Sequence, residues 1–236
     1  QNQIYVMRRK IFEETYRKAD EIMKQKAVIF DLDGTLLNTL EDLKDATNAA
    51  LESKGMPVCT LEQVRQYVGN GVRKLMIRAV PDGENNPLFE EAFAAFKEYY
   101  GEHCLDHTAP YPDIMQTMKA LKENGVKIAI VSNKLDSAVK ELNERFFAEY
   151  TTSAIGEMEG VARKPAPDMV NKALKELGIT KEDAVYVGDS DVDIATAKNS
   201  GLPCISVTWG FRDVDFLKEH GAKTLIESPL ELLYLV

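Results

Sequence analysis

The alternation of apolar and polar residues divides the chain into three kinds of segment. Residues 1–25 carry scattered apolar positions among many charges, which predicts a helical extension at the N-terminus. Apolar residues recur at helical spacing through residues 39–108, which predicts a small helical bundle. In residues 26–38 and 109–236, short continuous apolar runs alternate with amphipathic stretches. Such runs are typical of buried parallel strands, so these residues predict an α/β core with a doubly wound, mostly parallel sheet.

Capping signals and a break delimit the helices of the predicted bundle. Thr39 with Asp42, and Thr60 with Gln63, have the spacing of a capping box at a helix start. Two glycines within residues 69–71 interrupt the helical pattern before it resumes. Further along, aromatic residues at helical spacing predict a helix that faces the core of the bundle: Phe89, Phe93, Phe96 and Tyr100.

Three apolar strands of the predicted sheet end in polar residues. These residues are Asp31 and Asp33, then Ser132 and Asn133, then Gly188 and Asp189. Ligands of open parallel sheets bind outside the carboxyl ends of the strands. Asp31 and Asp33 lie two positions apart, so both carboxylates can converge on one point. Because like charges so close repel each other, the pattern predicts a cation or a proton-transfer task at this edge.

Composition narrows the possible partners. The net charge of −9 argues against nucleic acid and gives no affinity for a membrane surface. The three cysteines are odd in number and form no CxxC pair, which argues against a disulfide framework and suits a reducing cytoplasm. No apolar segment reaches the length of a membrane span. We therefore expect a cytoplasmic protein that attracts any anionic substrate through a metal, lysines or helix N-termini. The composition leaves open whether it is a monomer or a homodimer.

The strand ends, together with one lysine, resemble the motifs of the haloacid dehalogenase-like hydrolases. The four motifs stand in the family's order as Asp31-Leu32-Asp33-Gly34-Thr35, Ser132-Asn133, Lys164-Pro165 and Gly188-Asp189-Ser190-Asp191-Val192-Asp193. The resemblance covers roughly Ala27 to the C-terminus. It implies a Rossmann-like catalytic core over residues 26–38 and 109–236, and it identifies the bundle at 39–108 as the family's helical cap.

The resemblance implies a phosphatase that works through an aspartyl phosphate and Mg²⁺. Asp31 corresponds to the nucleophile, and Asp33 to the acid that protonates the leaving oxygen and the base that then activates water. Asp31, the main-chain carbonyl of Asp33, and Asp189 correspond to the Mg²⁺ ligands, as oxygen donors suit this ion. Asp193 would steady the metal site without binding the ion directly.

The remaining motif residues are expected to bind the transferring phosphoryl group. Ser132 would donate a hydrogen bond, and Lys164 would supply a compact positive charge. Thr35 and Asn133 would add polar contacts at the same edge of the sheet. Lys164 or Ser132 alone would be an ordinary polar residue, so their assignment depends on the complete pattern.

The segment 68–76 within the cap is similar to the cap loop of phosphoglycolate phosphatases. Gly71 would let the backbone approach a small ligand closely, and Arg73 would meet a carboxylate. The favoured substrate is therefore 2-phosphoglycolate, a small phosphorylated metabolite. The alternative interpretation of this segment is a helix break with solvated basic residues. Many relatives carry an acidic residue where this chain has Asn38, so the role of that position is open.

Other activities remain open at this point. A pyrophosphatase or a sugar-phosphate phosphomutase of the same family would share the nucleophile, whereas a haloacid dehalogenase should lack Asp33. A phosphate-accepting receiver module also uses a doubly wound sheet and Mg²⁺, but it is about half this length and needs no cap. His103 and His107 flank Cys104 at the end of a predicted helix. Local electrostatics accounts for histidines there, and we expect no zinc site.

Overall fold

The structure of this protein is a computed structural model that describes residues 25–236. The predicted N-terminal extension lies outside the described residues, apart from Gln25. Within the described part of the chain, no helix combines the length and the apolar character that crossing a lipid bilayer requires.

The described residues contain eight strands and nine α-helices. They also contain three short 3₁₀ helices at Gly83–Asn85, Lys181–Asp183 and Pro229–Tyr234. In chain order the strands are β1 (Ala27–Phe30), β2 (Leu37–Asn38), β3 (Ala109–Pro110), β4 (Lys127–Leu135), β5 (Ser153–Glu157), β6 (Ala184–Gly188), β7 (Cys204–Val207) and β8 (Thr224–Ile226). The α-helices are α1 (Leu40–Ser53), α2 (Leu61–Tyr67), α3 (Val72–Ala79), α4 (Phe89–His103), α5 (Ile114–Glu123), α6 (Asp136–Phe146), α7 (Asp168–Leu177), α8 (Asp191–Ser200) and α9 (Val214–Glu219).

Six strands form one parallel sheet in the order β5-β4-β1-β6-β7-β8. Alternate residues of β1 point to opposite faces: Val28 and Phe30 pack in one apolar cluster, and Ala27 and Ile29 in another. Helices α5 and α6 cover the first face, and α7 and α8 cover the second. Because both faces are buried, the strands read as continuous apolar runs. The predicted doubly wound fold is confirmed.

The strand order places a crevice beside the end of β1. This strand pairs with β4 on one side and with β6 on the other, so the chain changes direction across the sheet at β1. Such a switch point is where doubly wound sheets bind their ligands. Strand β4 also runs to Leu135, beyond its predicted end at Val131, with a register shift against β5 between these two residues. Ser132 and Asn133 therefore lie within the strand.

Helices α1 to α4 lie between β2 and β3 and form a bundle, called the cap below, with an apolar cluster of its own. Phe89 and Phe96 of α4 are buried in this cluster, as the aromatic stripe predicted. Phe211, from the segment between β7 and α9, packs into the same cluster and so joins the cap to the core. Strands β2 and β3 pair antiparallel, so the chain leaves the core and returns to it at one point.

One of the two predicted capping boxes is formed and the other is wrong. At α2, the main-chain N–H of Gln63 donates to the Thr60 hydroxyl at 3.2 Å, and the Thr60 N–H donates to the Gln63 side chain at 2.8 Å. At α1, the Thr39 side chain makes no capping bond. Asn38 supplies an acceptor instead, since its Oδ1 accepts the Leu40 N–H at 3.3 Å.

Asp42 has a different role from the predicted reciprocal cap. Its carboxylate is buried and accepts the main-chain N–H groups of His107 and Thr108, each at 2.9 Å. These residues lie just before β3, where the chain returns from the cap. Both oxygens of Asp42 are occupied by N–H donors from a distant segment of the chain. Asp42 therefore does not act as a capping residue of α1. The hydrogen bonds of Asp42 therefore connect the first turn of the cap to its last residues.

Candidate active site

Most of the predicted site residues converge at the carboxyl ends of β1, β4 and β6. Asp31 follows β1, and its N–H donates to Val187 of β6 at 2.9 Å. Asp31 and Asp189 are buried side by side, 6% and 2% exposed. A small cavity of about 60 Å³ opens above them. Its walls include predicted site residues from both segments: Asp31, Asp33, Gly71, Ser132, Asn133, Lys164 and Asp189.

Three buried carboxylates form a group that could hold a metal ion. Ligand oxygens of Asp31, Asp189 and Asp193 lie within 4.8 Å of one another. Burial raises the pKa of Asp31 well above its ordinary value, and Asp193 and Asp189 raise it further against the opposing effect of Lys164. Burial, with Asp193 as the next cause, raises the pKa of Asp189 to about 7. A divalent cation with oxygen ligands would relieve this crowding, so the donor set fits such an ion.

Glycines let the surrounding loops approach this acidic group. Gly34 has a positive φ of 88°, and a Cβ there would collide with the Asp189 carboxylate and the Phe211 ring. A Cβ at Gly210 would also collide with Asp189. The close approach lets the N–H of Phe211 donate to Asp189 Oδ2 at 2.7 Å. One oxygen of Asp189 is thereby held by the protein.

Lys164 supplies the main positive charge inside the acidic group. Its ammonium contacts Asp31 Oδ1 at 2.6 Å, Asp193 Oδ1 at 2.8 Å and the Tyr186 hydroxyl at 3.1 Å. Burial would lower the pKa of Lys164, but Asp193 and Asp31 overcome this and raise it. Lys164 therefore stays charged beside the carboxylate that is expected to attack phosphorus.

Asp193 uses both of its oxygens within the protein. Oδ2 accepts the Ser190 hydroxyl at 2.6 Å and the Ser190 N–H at 3.1 Å, at the start of α8. Oδ1 accepts from Lys164 and from Tyr186. This arrangement supports the expected role of Asp193 in steadying the site rather than binding the ion directly.

The predicted phosphate-binding residues differ in where they lie. Ser132 and Asn133 line the cavity, and the Asn133 side chain donates to the Lys164 carbonyl at 3.1 Å. The Asn133 side-chain oxygen is buried without a hydrogen-bond partner. Thr35 is fully buried and does not line the cavity; its carbonyl accepts the Trp209 indole N–H at 3.0 Å. Thr35 therefore supports the loop after β1 through its backbone.

The structure does not bring Arg73 to the site, in contrast to the sequence-based expectation. Its guanidinium pairs with Glu90 at 2.6 Å and with Glu84 at 3.2 Å, and lies over the Phe89 ring. The reason is helical geometry, because α3 turns Leu75 towards the cavity and Arg73 towards α4 and solvent. Gly71, immediately before α3, does line the cavity.

The two histidines near the end of the cap pair with separate acids. His103 Nδ1 lies 2.8 Å from Asp106, and His107 Nε2 lies 3.7 Å from Asp45. The metal-binding group found among residues 25–236 contains neither histidine. Both therefore have local electrostatic partners at the cap boundary.

Sequence reasoning missed three residues that shape the site. Lys134 follows the Ser132-Asn133 motif, lines the cavity and contacts Asp33. Arg212 holds the cap loop from the core side, donating to the carbonyls of Arg65 at 2.9 Å and Val68 at 2.7 Å. Tyr186 brings a hydroxyl to Lys164. The sequence could have indicated two of these residues. Tyr186 carries a polar hydroxyl within an otherwise apolar strand, and Lys134 is a lysine two residues after the motif serine.

Sequence comparison relates the chain to proteins of known classification. The profile of the haloacid dehalogenase-like hydrolases matches residues 28–207. Phosphoglycolate phosphatase 1 of Pseudomonas aeruginosa is 37% identical over 215 residues, covering 88% of this chain and 78% of that protein. The phosphoglycolate phosphatase of Aquifex aeolicus is 34% identical over 187 residues, covering 79% of this chain and 86% of that protein.

Solved structures show the same architecture. A candidate phosphoglycolate phosphatase from Lactobacillus delbrueckii subsp. bulgaricus matches with a TM-score of 0.85 at 39% identity, covering 89% of this chain and 97% of that chain. CbbY from Rhodobacter sphaeroides, solved in complex with phosphate, matches with a TM-score of 0.71 at 26% identity, covering 88% and 96%. The resemblance predicted from the four motifs is confirmed, as is the enzyme class of a phosphoric monoester hydrolase.

Proposed function

We propose that this chain, which belongs to the haloacid dehalogenase-like hydrolase family, is a Mg²⁺-dependent phosphatase whose favoured substrate is 2-phosphoglycolate. The observation that carries the proposal is the buried group of Asp31, Asp189 and Asp193 with Lys164 at the strand ends. A nucleophilic carboxylate, a fixed ammonium and a cation site are the parts that phosphoryl transfer needs. We also assign the enzyme to the cytoplasm, where the free thiols of Cys59, Cys104 and Cys204 stay reduced.

The reaction divides into two displacements at phosphorus. In the first, a carboxylate oxygen of Asp31 attacks phosphorus, the bond to the ester oxygen breaks, and Asp33 gives its proton to that oxygen. In the second, water attacks the aspartyl phosphate, Asp33 accepts a proton from it, and phosphate leaves with Asp31 restored. Lys164 and Ser132 hold the phosphoryl oxygens through both steps.

The expected Mg²⁺ ligands are Asp31, the main-chain carbonyl of Asp33, and Asp189, with Asp193 outside them. When bound, the ion supplies positive charge to the phosphoryl oxygens and offsets the repulsion among the carboxylates. The protein's own contribution is to hold these carboxylates close together before substrate arrives.

Mg²⁺ is expected to raise the melting temperature, and to raise it more at about pH 8 than at about pH 5.5. Folding raises the pKa of Asp189 from 3.8 to about 7, so the metal-free protein loses stability as the pH rises through this interval. Protons compete with the ion at the lower pH. Thermal melts with and without Mg²⁺ measure the shift. Asp189→Asn should lose it, whereas an equal shift at both pH values or an unchanged shift in this variant would exclude the site.

The shape of the cavity supports a small substrate. Its upper wall comes from the cap, where Leu43, Val68, Val72 and Leu75 present apolar side chains. Gly71 precedes α3, whose first N–H groups have no partners within the helix and carry the positive end of its dipole. A substrate carboxylate on the cap side would be stabilised there. We therefore assign carboxylate recognition to the backbone of the cap loop, and the engagement of Arg73 with Glu84 and Glu90 supports this assignment.

A substrate panel tests the proposal. With Mg²⁺ present, we expect kcat/KM for 2-phosphoglycolate to exceed the values for pyrophosphate and for hexose phosphates by about 100-fold or more. The small cavity leaves little room for a hexose, and pyrophosphate lacks the carboxylate that the cap loop would stabilise. EDTA should silence the activity and Mg²⁺ should restore it. A preference for pyrophosphate, isomerisation of a sugar phosphate without phosphate release, or a single phosphorylation without turnover would each favour one of the competing activities.

A further inference from the structure

We propose that Lys134 is a positioning residue for the Asp33 carboxylate, and that Tyr100 of the cap holds Lys134 in the required place. This proposal rests on the proposed function, in which Asp33 exchanges protons with the ester oxygen and with water. Two groups from different segments, one in the core and one in the cap, would then govern the orientation of a single carboxylate.

The first support is the contact between Lys134 and Asp33. The Lys134 ammonium lies 3.1 Å from Asp33 Oδ1 and 3.2 Å from Oδ2, so it contacts both carboxylate oxygens. Its side chain is only 5% exposed, whereas that of Asp33 is 23% exposed. A buried cation on both oxygens restrains the rotation of the partly exposed carboxylate. Asp33 is therefore oriented by Lys134 and faces the cavity that both residues line.

The second support is the contact between Lys134 and the cap. Its ammonium donates to the Tyr100 hydroxyl at 2.7 Å and lies 4.9 Å from the centre of that ring. Tyr100 is on α4, and its ring stacks on Phe96 at a centroid distance of 5.5 Å. Phe96 belongs to the buried cluster of the cap. The position of the hydroxyl is thus set by the packing of the cap, not by the core.

The protonation of Tyr100 agrees with this role. Burial raises the pKa of Tyr100 to about 12, so the phenol is neutral and its oxygen accepts the Lys134 hydrogen bond. The three contacts of the ammonium, two to Asp33 and one to Tyr100, match the three N–H donors of a lysine. Moving α4 away would remove the contact to Tyr100 and leave the ammonium held by Asp33 alone, so its position would be less restrained. The orientation of Asp33 therefore depends on the cap lying over the site.

The experiment compares two substrates that differ in their need for a proton. The alkoxide of 2-phosphoglycolate must be protonated as it leaves, whereas acetyl phosphate is of similar size and releases a carboxylate that leaves without a proton. The value of kcat/KM reports the first displacement, including loss of the leaving group. We expect Tyr100→Phe to lower kcat/KM about tenfold for 2-phosphoglycolate, and Lys134→Met about 100-fold, with changes below about threefold for acetyl phosphate.

Matched controls separate this role from a structural one. Tyr99→Phe removes a hydroxyl from the neighbouring residue of α4, which stacks on His103, and should leave both substrates unaffected. In a double-mutant cycle, Lys134→Met should have no further effect on 2-phosphoglycolate once Asp33 is Asn. Melting temperatures confirm folding, and Tyr100→Phe decides the matter if Lys134→Met does not fold.

The outcomes distinguish this proposal from the proposed function. Equal losses for both substrates, or additive effects of Lys134→Met and Asp33→Asn, would overturn the positioning role while the wild-type enzyme still hydrolyses phosphate esters. A wild-type enzyme that hydrolyses neither substrate with Mg²⁺ would overturn the proposed function itself.

Discussion

Replacing Asp31 by Asn is expected to lower kcat by at least about 10⁴-fold, which corresponds to more than about 5 kcal/mol of transition-state stabilisation. An amide does not attack phosphorus, and the other carboxylates at the site have protein partners of their own, Asp33 with Lys134 among them. Asp193 is committed to Ser190 and Lys164, and Asp189 is held by Phe211. The loss should appear with every phosphate ester, including those with good leaving groups.

The fold should survive this change. Asp31 loses an ion pair of 2.6 Å with Lys164, but its removal also relieves the repulsion with Asp189 and Asp193. Circular dichroism and thermal melts would verify this. Asp215→Asn, at an exposed position of α9, is the matched control and should keep full activity. Activity within about tenfold of wild type, in a preparation shown by mass spectrometry to contain no deamidated Asn, would refute the nucleophile assignment.

The second large effect is expected from Asp33→Asn, which should lower kcat/KM for 2-phosphoglycolate by about 10²–10⁴-fold. The amide can neither protonate the ester oxygen nor accept a proton from water. Acetyl phosphate needs no proton in the first displacement, so it should still phosphorylate Asp31. Water attack should then be slow, and phosphorylated enzyme should accumulate.

Acid-quench measurements with acetyl phosphate labelled in its phosphoryl group would detect the phosphorylated enzyme. We expect near-stoichiometric label on the Asp33→Asn chain and little on the wild type at steady state. The double variant Asp31→Asn with Asp33→Asn should carry no label, which identifies the attachment point. A wild-type rate of label release from Asp33→Asn would remove Asp33 from the acid/base role.

Features of the fold and of the site that depend on a few neighbouring residues could be predicted from the sequence. The apolar runs identified the strands because parallel strands buried on both faces contain few polar residues. Asp31, Ser132 and Asp189 could be placed together because parallel strands end at the same edge of the sheet. The Thr60 capping box formed as predicted because both partners lie within one helical turn.

Side-chain contacts that depend on packing between distant segments could not be predicted from the sequence. Asp42 has the spacing of a capping residue, but the chain returning from the cap supplies two N–H donors that occupy its carboxylate. Arg73 follows the cap-loop pattern, yet the rotation of α3 about its axis decides whether it meets substrate or Glu90. Tyr100 and Lys134 are separated by a whole helix and strand, and only the docking of the cap brings them together.

The antiparallel pair of β2 and β3 has a consequence for how this enzyme could change its substrate. Leu37 lies opposite Pro110 and Asn38 opposite Ala109, so the two ends of the cap are neighbours in space. The segment between them is an insertion, so its replacement should leave the six-stranded sheet and its acidic group intact. Exchanging this inserted segment between homologues, with a tyrosine kept at the position of Tyr100, should transfer substrate specificity while the catalytic residues of the core stay the same.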